Sequence, residues 1–150
     1  MRFMIIVKAT KDSEKEVIPN EGEEGEKLFA AMATYHEELA KAGALLDASG
    51  LQPSSKGWRI KYSGEKRTVT DGPFAETKEL VAGFWLWQVK SREEAIEWLK
   101  RAPFQEGEVE IRQVFETEDF APSDPTGKLR EQEERLRAQT EALNKAGKRS

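Results

Sequence analysis

The stretch Leu80–Lys90, LVAGFWLWQVK, constrains the fold most, because it is a strand that has no polar face. Side chains alternate between the two faces of a strand. Alternation therefore places Leu80, Ala82, Phe84 and Leu86 on one face and Val81, Trp85, Trp87 and Val89 on the other, with Gly83 among them. A strand that is apolar on both faces must be covered on both, so the sequence predicts a strand with packing above and below it.

The remaining segments predict an α+β fold around this strand. Arg2–Ala9 is a second strand with two apolar faces, and a polar, turn-rich loop follows it. Apolar residues recur at helical spacing over Glu26–Ala42 and again after Ser91, which with Glu94 forms a capping box. A hairpin begins at Trp58, and Glu108–Glu116 is the last strand. The expected order is βαββαβ with the hairpin inserted.

The second face of this sheet lacks a cover within one chain. Two helices cover only one face of a sheet. We expect the tryptophans of Leu80–Lys90 and the apolar residues of Arg2–Ala9 to lie on the face away from the helices. An exposed apolar face of that size binds something. A second copy that packs face to face is the simplest cover, so the sequence predicts a homodimer with a shared interior.

Composition excludes several classes of function. The 150 residues carry a net charge of −4, and a nucleic-acid-binding protein would need a basic face. The chain has no cysteine and one histidine, so we expect no disulfide, no cysteine-ligated metal site and no histidine-cluster metal site. We also expect no cofactor. No apolar run reaches the roughly 20 residues of a membrane span, and the N-terminus reads as a strand and not as a signal peptide. We therefore expect no membrane association and a cytoplasmic location.

The C-terminal part predicts an appendage to the main domain. Asp119–Gly127 is rich in Pro, Gly and Asp and predicts a linker, after which a charged helix follows. Its leucines 129, 136 and 143 recur at heptad spacing, but the second apolar position of a coiled coil is missing. A docked or solvated tail helix is favoured over a zipper. We expect a domain over residues 1–120 and a linker with tail helix over residues 121–150.

The segment TVTDGPFAETKELVAGFWL, with SREEAIEWLKRAP and VEIRQVFE after it, resembles the DGPF-domain branch of the YCII-related family. The stretch YHEELAKAGALLDASGLQPSSKG fits the same pattern, so the resemblance spans Arg2 to about Phe120. It implies a ferredoxin-like subunit that forms a dimeric α+β barrel. It also implies a regulatory context, because such proteins often occur beside extracytoplasmic-function sigma factors.

Relatives of the YCII type carry a proposed His–Asp pair, and the resemblance carries that pair onto His36 and Asp71 as catalytic candidates. His36 flanks the apolar stripe of its helix, a position that suits a general base oriented by a carboxylate. The alternative is a partly exposed histidine on a helix shoulder. Asp71 is alternatively an ordinary turn former before Gly72 and Pro73. We expect Phe74 to anchor this stiff loop in the core.

Four further residues are candidate ligand contacts: Phe74, Trp85, Trp87 and Arg112. The two tryptophans are alternatively core or dimer interface, and Arg112 is alternatively a surface residue.

Two functions of different classes follow. In the first, a homodimeric barrel binds an unknown small organic molecule, with His36 and Asp71 as an acid–base pair; the resemblance implies isomerase, lyase or oxygenase chemistry without a cofactor. In the second, the chain is a non-catalytic regulatory or protein-interaction module with a sigma factor as partner.

Overall fold

The computed structural model describes residues 1–15 and 22–147, and these contain the predicted strands and helices. Part of the predicted loop before the first helix and the last three residues lie outside these ranges. The elements are β1 Arg2–Lys8, α1 Glu23–Lys41, β2 Leu45–Gly50, β3 Trp58–Ser63, β4 Lys66–Asp71, β5 Val81–Gln88, α2 Arg92–Lys100, β6 Val109–Gln113 and α3 Lys128–Ala146. Ser91 caps α2, since its Oγ accepts the backbone N–H of Glu94 at 3.1 Å.

The main sheet has four strands in the order β2-β5-β1-β6, and its neighbouring strands are antiparallel. With α1 between β1 and β2 and α2 between β5 and β6, this is the ferredoxin-like βαββαβ arrangement. Strands β3 and β4 form a separate hairpin inserted between β2 and β5. The predicted fold of the subunit is therefore confirmed, including the inserted hairpin and the C-terminal helix.

The two tryptophans of β5 lie on the face that the helices cover. Trp85 pairs with Ile5, and Trp87 pairs with Phe3, so all four side chains share this face. Tyr35 of α1 makes edge contacts with both indole rings. The expectation that the tryptophans lie away from the helices is therefore wrong. Both faces of the strand are apolar, so the alternating pattern does not predict which face the helices cover. The large indole rings fill the space between the helices and the sheet.

The opposite face of the sheet, called here the open face, carries Met4, Ile6, Phe84 and Leu86. Met4 pairs with Leu86 and Ile6 pairs with Phe84, so the four side chains form one apolar patch. All four are only half-buried, and they lie outside the hydrophobic core cluster. At one side of the patch, Glu110 makes ion pairs with Lys8 and Arg112.

Residues 115–150 form a second compact unit. Part of the predicted linker is a 3-10 helix, Thr117–Ser123, opened by a capping box in which the backbone N–H of Glu116 donates to the Asp119 carboxylate. Asp124 accepts hydrogen bonds from the backbone N–H and the Nε of Arg130, at 3.0 and 3.1 Å. The backbone bond from Arg130 is the main cause that holds the pKa of Asp124 below its usual value.

Helix α3 buries no residue, and its leucines 129, 136 and 143 are exposed. Its stripe at heptad spacing is thus uncovered. None of the helices in the described parts of the chain combines the length and the apolar character that crossing a bilayer requires.

Candidate functional site

A cleft lies on the helix-covered side of the sheet, between α1 and strands β1, β2 and β5. Its volume is about 310 Å³. The walls include Val7, Met32, His36, Ala48, Trp85 and Phe104, with Gly50 and Gly83 among the neighbouring residues. Nearly all of these groups are apolar, and His36 is the one titratable side chain among the described residues that line this cleft.

The spacing of residues along α1 explains the wall that the helix contributes. Leu28, Met32 and His36 are four residues apart and therefore lie on one face of the helix. Leu28 lines a second cavity of about 390 Å³, which shares Val7, Ala82 and Phe104 with the cleft. The two cavities are thus adjacent, and the same face of α1 borders both.

His36 is held by a hydrogen bond to Trp85. The indole Nε1–H donates to the imidazole Nε2 at 2.7 Å, and the ring planes stand at 81° to each other. Because Nε2 accepts this bond, the imidazole is neutral in this arrangement and its proton lies on Nδ1. Trp85 is itself fixed, since it is 4% exposed and stacks on Trp87.

Gly83 keeps β2 close to β5 beside the cleft. A Cβ added to Gly83 would lie 2.8 Å from the backbone oxygen of Ser49 and 3.3 Å from the Cα of Gly50. The aromatic strand therefore needs a glycine at this position, because a side chain would push the two strands apart.

Tyr35 packs in the core next to His36, as its place on the apolar stripe predicts. It is 4% exposed, and its hydroxyl donates to the backbone oxygen of Trp98 at 2.6 Å. Burial raises the pKa of this phenol well above its usual value. Tyr35 therefore stays protonated and serves as a structural donor.

The structure does not join Asp71 to His36. Asp71 is the last residue of β4, it is exposed, and it pairs through the backbone with Trp58. In residues 1–15 and 22–147, no side-chain hydrogen bond or ion pair is formed by its carboxylate, whereas His36 bonds to Trp85. The catalytic pairing of His36 with Asp71 stays a prediction.

The loop after Asp71 packs against the 3-10 turn Ser54–Lys56. The backbone N–H of Gly72 donates to the Gly57 oxygen at 2.9 Å, and that of Phe74 donates to Ser54 Oγ at 3.1 Å. A Cβ on Gly72 would lie 1.8 Å from the Ser54 backbone oxygen. Ser54 is in turn bonded to the carboxylate of Glu14. Gly72 therefore allows the close contact between its own backbone and that of Ser54.

Phe74 does not lie in the hydrophobic core, so the expectation of a core anchor is wrong. Its ring is half-buried and lies outside the core cluster. The guanidinium of Arg59 covers it at 3.8 Å from the ring centre. The physical reason is that β3 and β4 are exposed along their whole length, so this hairpin brings no core to the loop.

The other predicted ligand contacts lie apart. Trp85 lines the cleft, whereas Trp87 is fully buried and Arg112 is exposed in an ion pair with Glu110. Met32, Ala48 and Phe104 line the cleft but were not expected from the sequence. The four-residue spacing of Met32 and His36 was the one sequence feature that could have predicted that Met32 lies beside His36 in the cleft. Among the described residues, no group of three or more His, Asp or Glu side chains can hold a metal ion.

Comparison with known proteins agrees with the family that the sequence resembles. The family of YCII-related domains matches residues 1–118. A relative, the uncharacterised protein R00369 of Rhizobium meliloti (strain 1021), is 32% identical over 93 residues. The aligned part is 60% of this chain and 75% of that relative.

Proposed function

The chain belongs to the family of YCII-related domains, and from this premise we propose that it is a homodimer that binds a small organic molecule in the cleft beneath α1. The observation that carries the proposal is an imidazole, fixed by an indole N–H, in a largely apolar cleft. Ligand sites are typically apolar concavities with a few placed polar groups, and about 310 Å³ is a volume that suits a small ligand.

The proposed location differs from a chamber at the centre of a dimer. His36 on α1 and Trp85 on β5 meet between the helix and the sheet and not on the open face, so each copy carries its own cleft. In the catalytic form of the proposal, His36 exchanges a proton with the ligand in an isomerase, lyase or oxygenase type of reaction. Asp71 acts as its carboxylate partner in that form, which requires the hairpin to approach α1 in the assembled protein.

The open face supports the homodimer. Met4, Ile6, Phe84 and Leu86 form an apolar patch that the core cluster does not include. Charged groups stand beside it, which is the arrangement of an apolar interface centre with a polar rim. Two such sheets packed face to face would give the α+β barrel.

A cleft-filling variant tests the ligand site. We expect compounds from a thermal-shift screen of small carbonyl compounds, carboxylates and phenols to stabilise the wild-type protein, by about 2.7 kcal/mol at 100 times the dissociation constant. Ala48→Leu adds volume to the cleft wall and should weaken binding of the same compounds at least about fivefold, since overpacking a filled site costs about 1 kcal/mol or more.

Ala33→Leu is the matched control, because Ala33 lies on an exposed position of α1 and does not line the cleft. Binding to this variant should equal that of the wild type. A screen without a single stabilising compound, or compounds that bind Ala48→Leu as tightly as the control, would contradict a ligand site beneath α1.

A second candidate function is protein interaction through α3. The exposed leucines at positions 129, 136 and 143 support it, because an uncovered stripe at heptad spacing suits a partner helix. The proposed partner is a sigma factor. Leu136→Lys would then abolish partner binding and leave ligand binding in the cleft unchanged.

A further inference from the structure

His36 has one hydrogen-bonding nitrogen left for a ligand. A neutral imidazole carries one lone pair and one N–H. The indole of Trp85 is a donor only, and its bond of 2.7 Å uses the lone pair on Nε2. The N–H of His36 is therefore on Nδ1.

This Nδ1–H has no partner within the described residues, because the bond to Trp85 is the only hydrogen bond that the His36 side chain makes there. The imidazole is half-buried and lines the cleft. Among the described residues that line the cleft, none carries a carboxylate to accept this N–H. A donor on an apolar wall is satisfied when a ligand supplies the acceptor.

We infer that the cleft selects ligands with a hydrogen-bond acceptor, such as a carbonyl or carboxylate oxygen, and that Trp85 is the positioning residue that keeps the donor of His36 on Nδ1. The inference rests on the proposed ligand site beneath α1. In this inference His36 donates a hydrogen bond from Nδ1–H to the ligand oxygen. Nε2 could act as a base only after the hydrogen bond from Trp85 is broken.

The tautomer is measurable without any ligand, because His36 is the only histidine of the chain. The full-length protein is labelled with ¹⁵N-histidine and studied at about pH 8. Nε2 couples to both ring C–H protons and Nδ1 to only one, so the long-range spectrum identifies the bare nitrogen. We expect Nε2 to be bare; a proton on Nε2 in the wild type would overturn the inference.

Two tryptophan variants separate the bond from packing. Trp85→Phe removes the N–H donor, and we expect the fraction of Nδ1–H tautomer to fall by about twofold or more. Trp87→Phe is the matched control, since Trp87 stacks on Trp85 at 5.6 Å but its own Nε1 has no partner among the described residues. An unchanged tautomer in folded Trp85→Phe, or the same shift in both variants, would contradict a positioning role. If Trp85→Phe does not fold, the wild-type spectrum still decides the tautomer.

A pair of probes of similar shape tests the ligand class. Acetophenone has a carbonyl acceptor, whereas isopropylbenzene has none. We expect acetophenone to bind wild type about fivefold more tightly, the factor that one neutral hydrogen bond gives, and to shift the His36 Nδ1 signal. Trp85→Phe should reduce this preference. Equal binding of both probes, or binding of neither, would overturn the acceptor preference. If compounds from the thermal-shift screen bind wild type more tightly than Ala48→Leu in that case, the proposed ligand site beneath α1 is still supported and only the acceptor preference is wrong.

Discussion

Gly72→Ala is expected to lower the free energy of unfolding by about 2–4 kcal/mol, because a methyl group at this position overlaps the backbone of the Ser54–Lys56 turn. The added Cβ would lie 1.8 Å from the Ser54 oxygen, and backbone atoms on both sides cannot rotate away. Separation of the two segments also weakens the bonds from Gly72 to Gly57 and from Phe74 to Ser54. Guanidinium unfolding followed by tryptophan fluorescence measures the change.

Gly50→Ala is the matched control, because a methyl group added at Gly50 meets no neighbouring atom among the described residues. No atom of the described residues lies within 4 Å of a Cβ built at Gly50, and its φ is not in the left-handed region. The free energy of unfolding of this variant should stay within about 0.5 kcal/mol of wild type. Equal losses of unfolding free energy in Gly72→Ala and Gly50→Ala would contradict a stabilising role for the close contact between Gly72 and Ser54.

Leu86→Lys is expected to convert the proposed homodimer into a monomer. Leu86 lies in the centre of the open face beside Met4. In a face-to-face dimer each copy would bury one lysine without a partner, which should raise the dissociation constant by about 100-fold or more. Size-exclusion chromatography with light scattering over a dilution series measures the mass.

Leu143→Lys is the matched control, since Leu143 is 68% exposed on α3. This variant should keep the dimer mass. If Leu143→Lys dissociates the dimer while Leu86→Lys does not, the copies associate through α3 and the sheet is not the interface. A wild-type monomer at all concentrations would contradict the barrel.

Local patterns in the sequence were sufficient to predict the helices and strands of the fold. The helical spacing around Tyr35 and Leu39 predicted α1 and its buried stripe, and both residues are in the core. The alternation in Leu80–Lys90 predicted a strand with two apolar faces, and β5 spans Val81–Gln88. These properties depend on periodicity within a short segment, which the sequence carries directly.

Properties that depend on distant residues were not predictable in the same way. The face that Trp85 occupies is set by its pairing with Ile5, and both faces of β5 are apolar. The bond from Trp85 to His36 joins residues 49 positions apart, and it determines which imidazole nitrogen is free. The close contact of Gly72 with Ser54 joins two loops that have no common pattern. The cleft itself depends on the first two of these contacts, since Trp85 and His36 both line it.

The position of the ligand site relative to the sheet is the central claim, and the methionine methyl groups report on it directly. Met32 lines the cleft, Met4 lies on the open face, and Met1 is exposed at the N-terminus. In protein labelled with ¹³C-methyl methionine, a compound from the thermal-shift screen should shift the Met32 signal and leave Met4 unchanged, whereas dilution should shift Met4. A compound that shifts Met4 and leaves Met32 unchanged would place the ligand on the other side of the sheet and contradict this account.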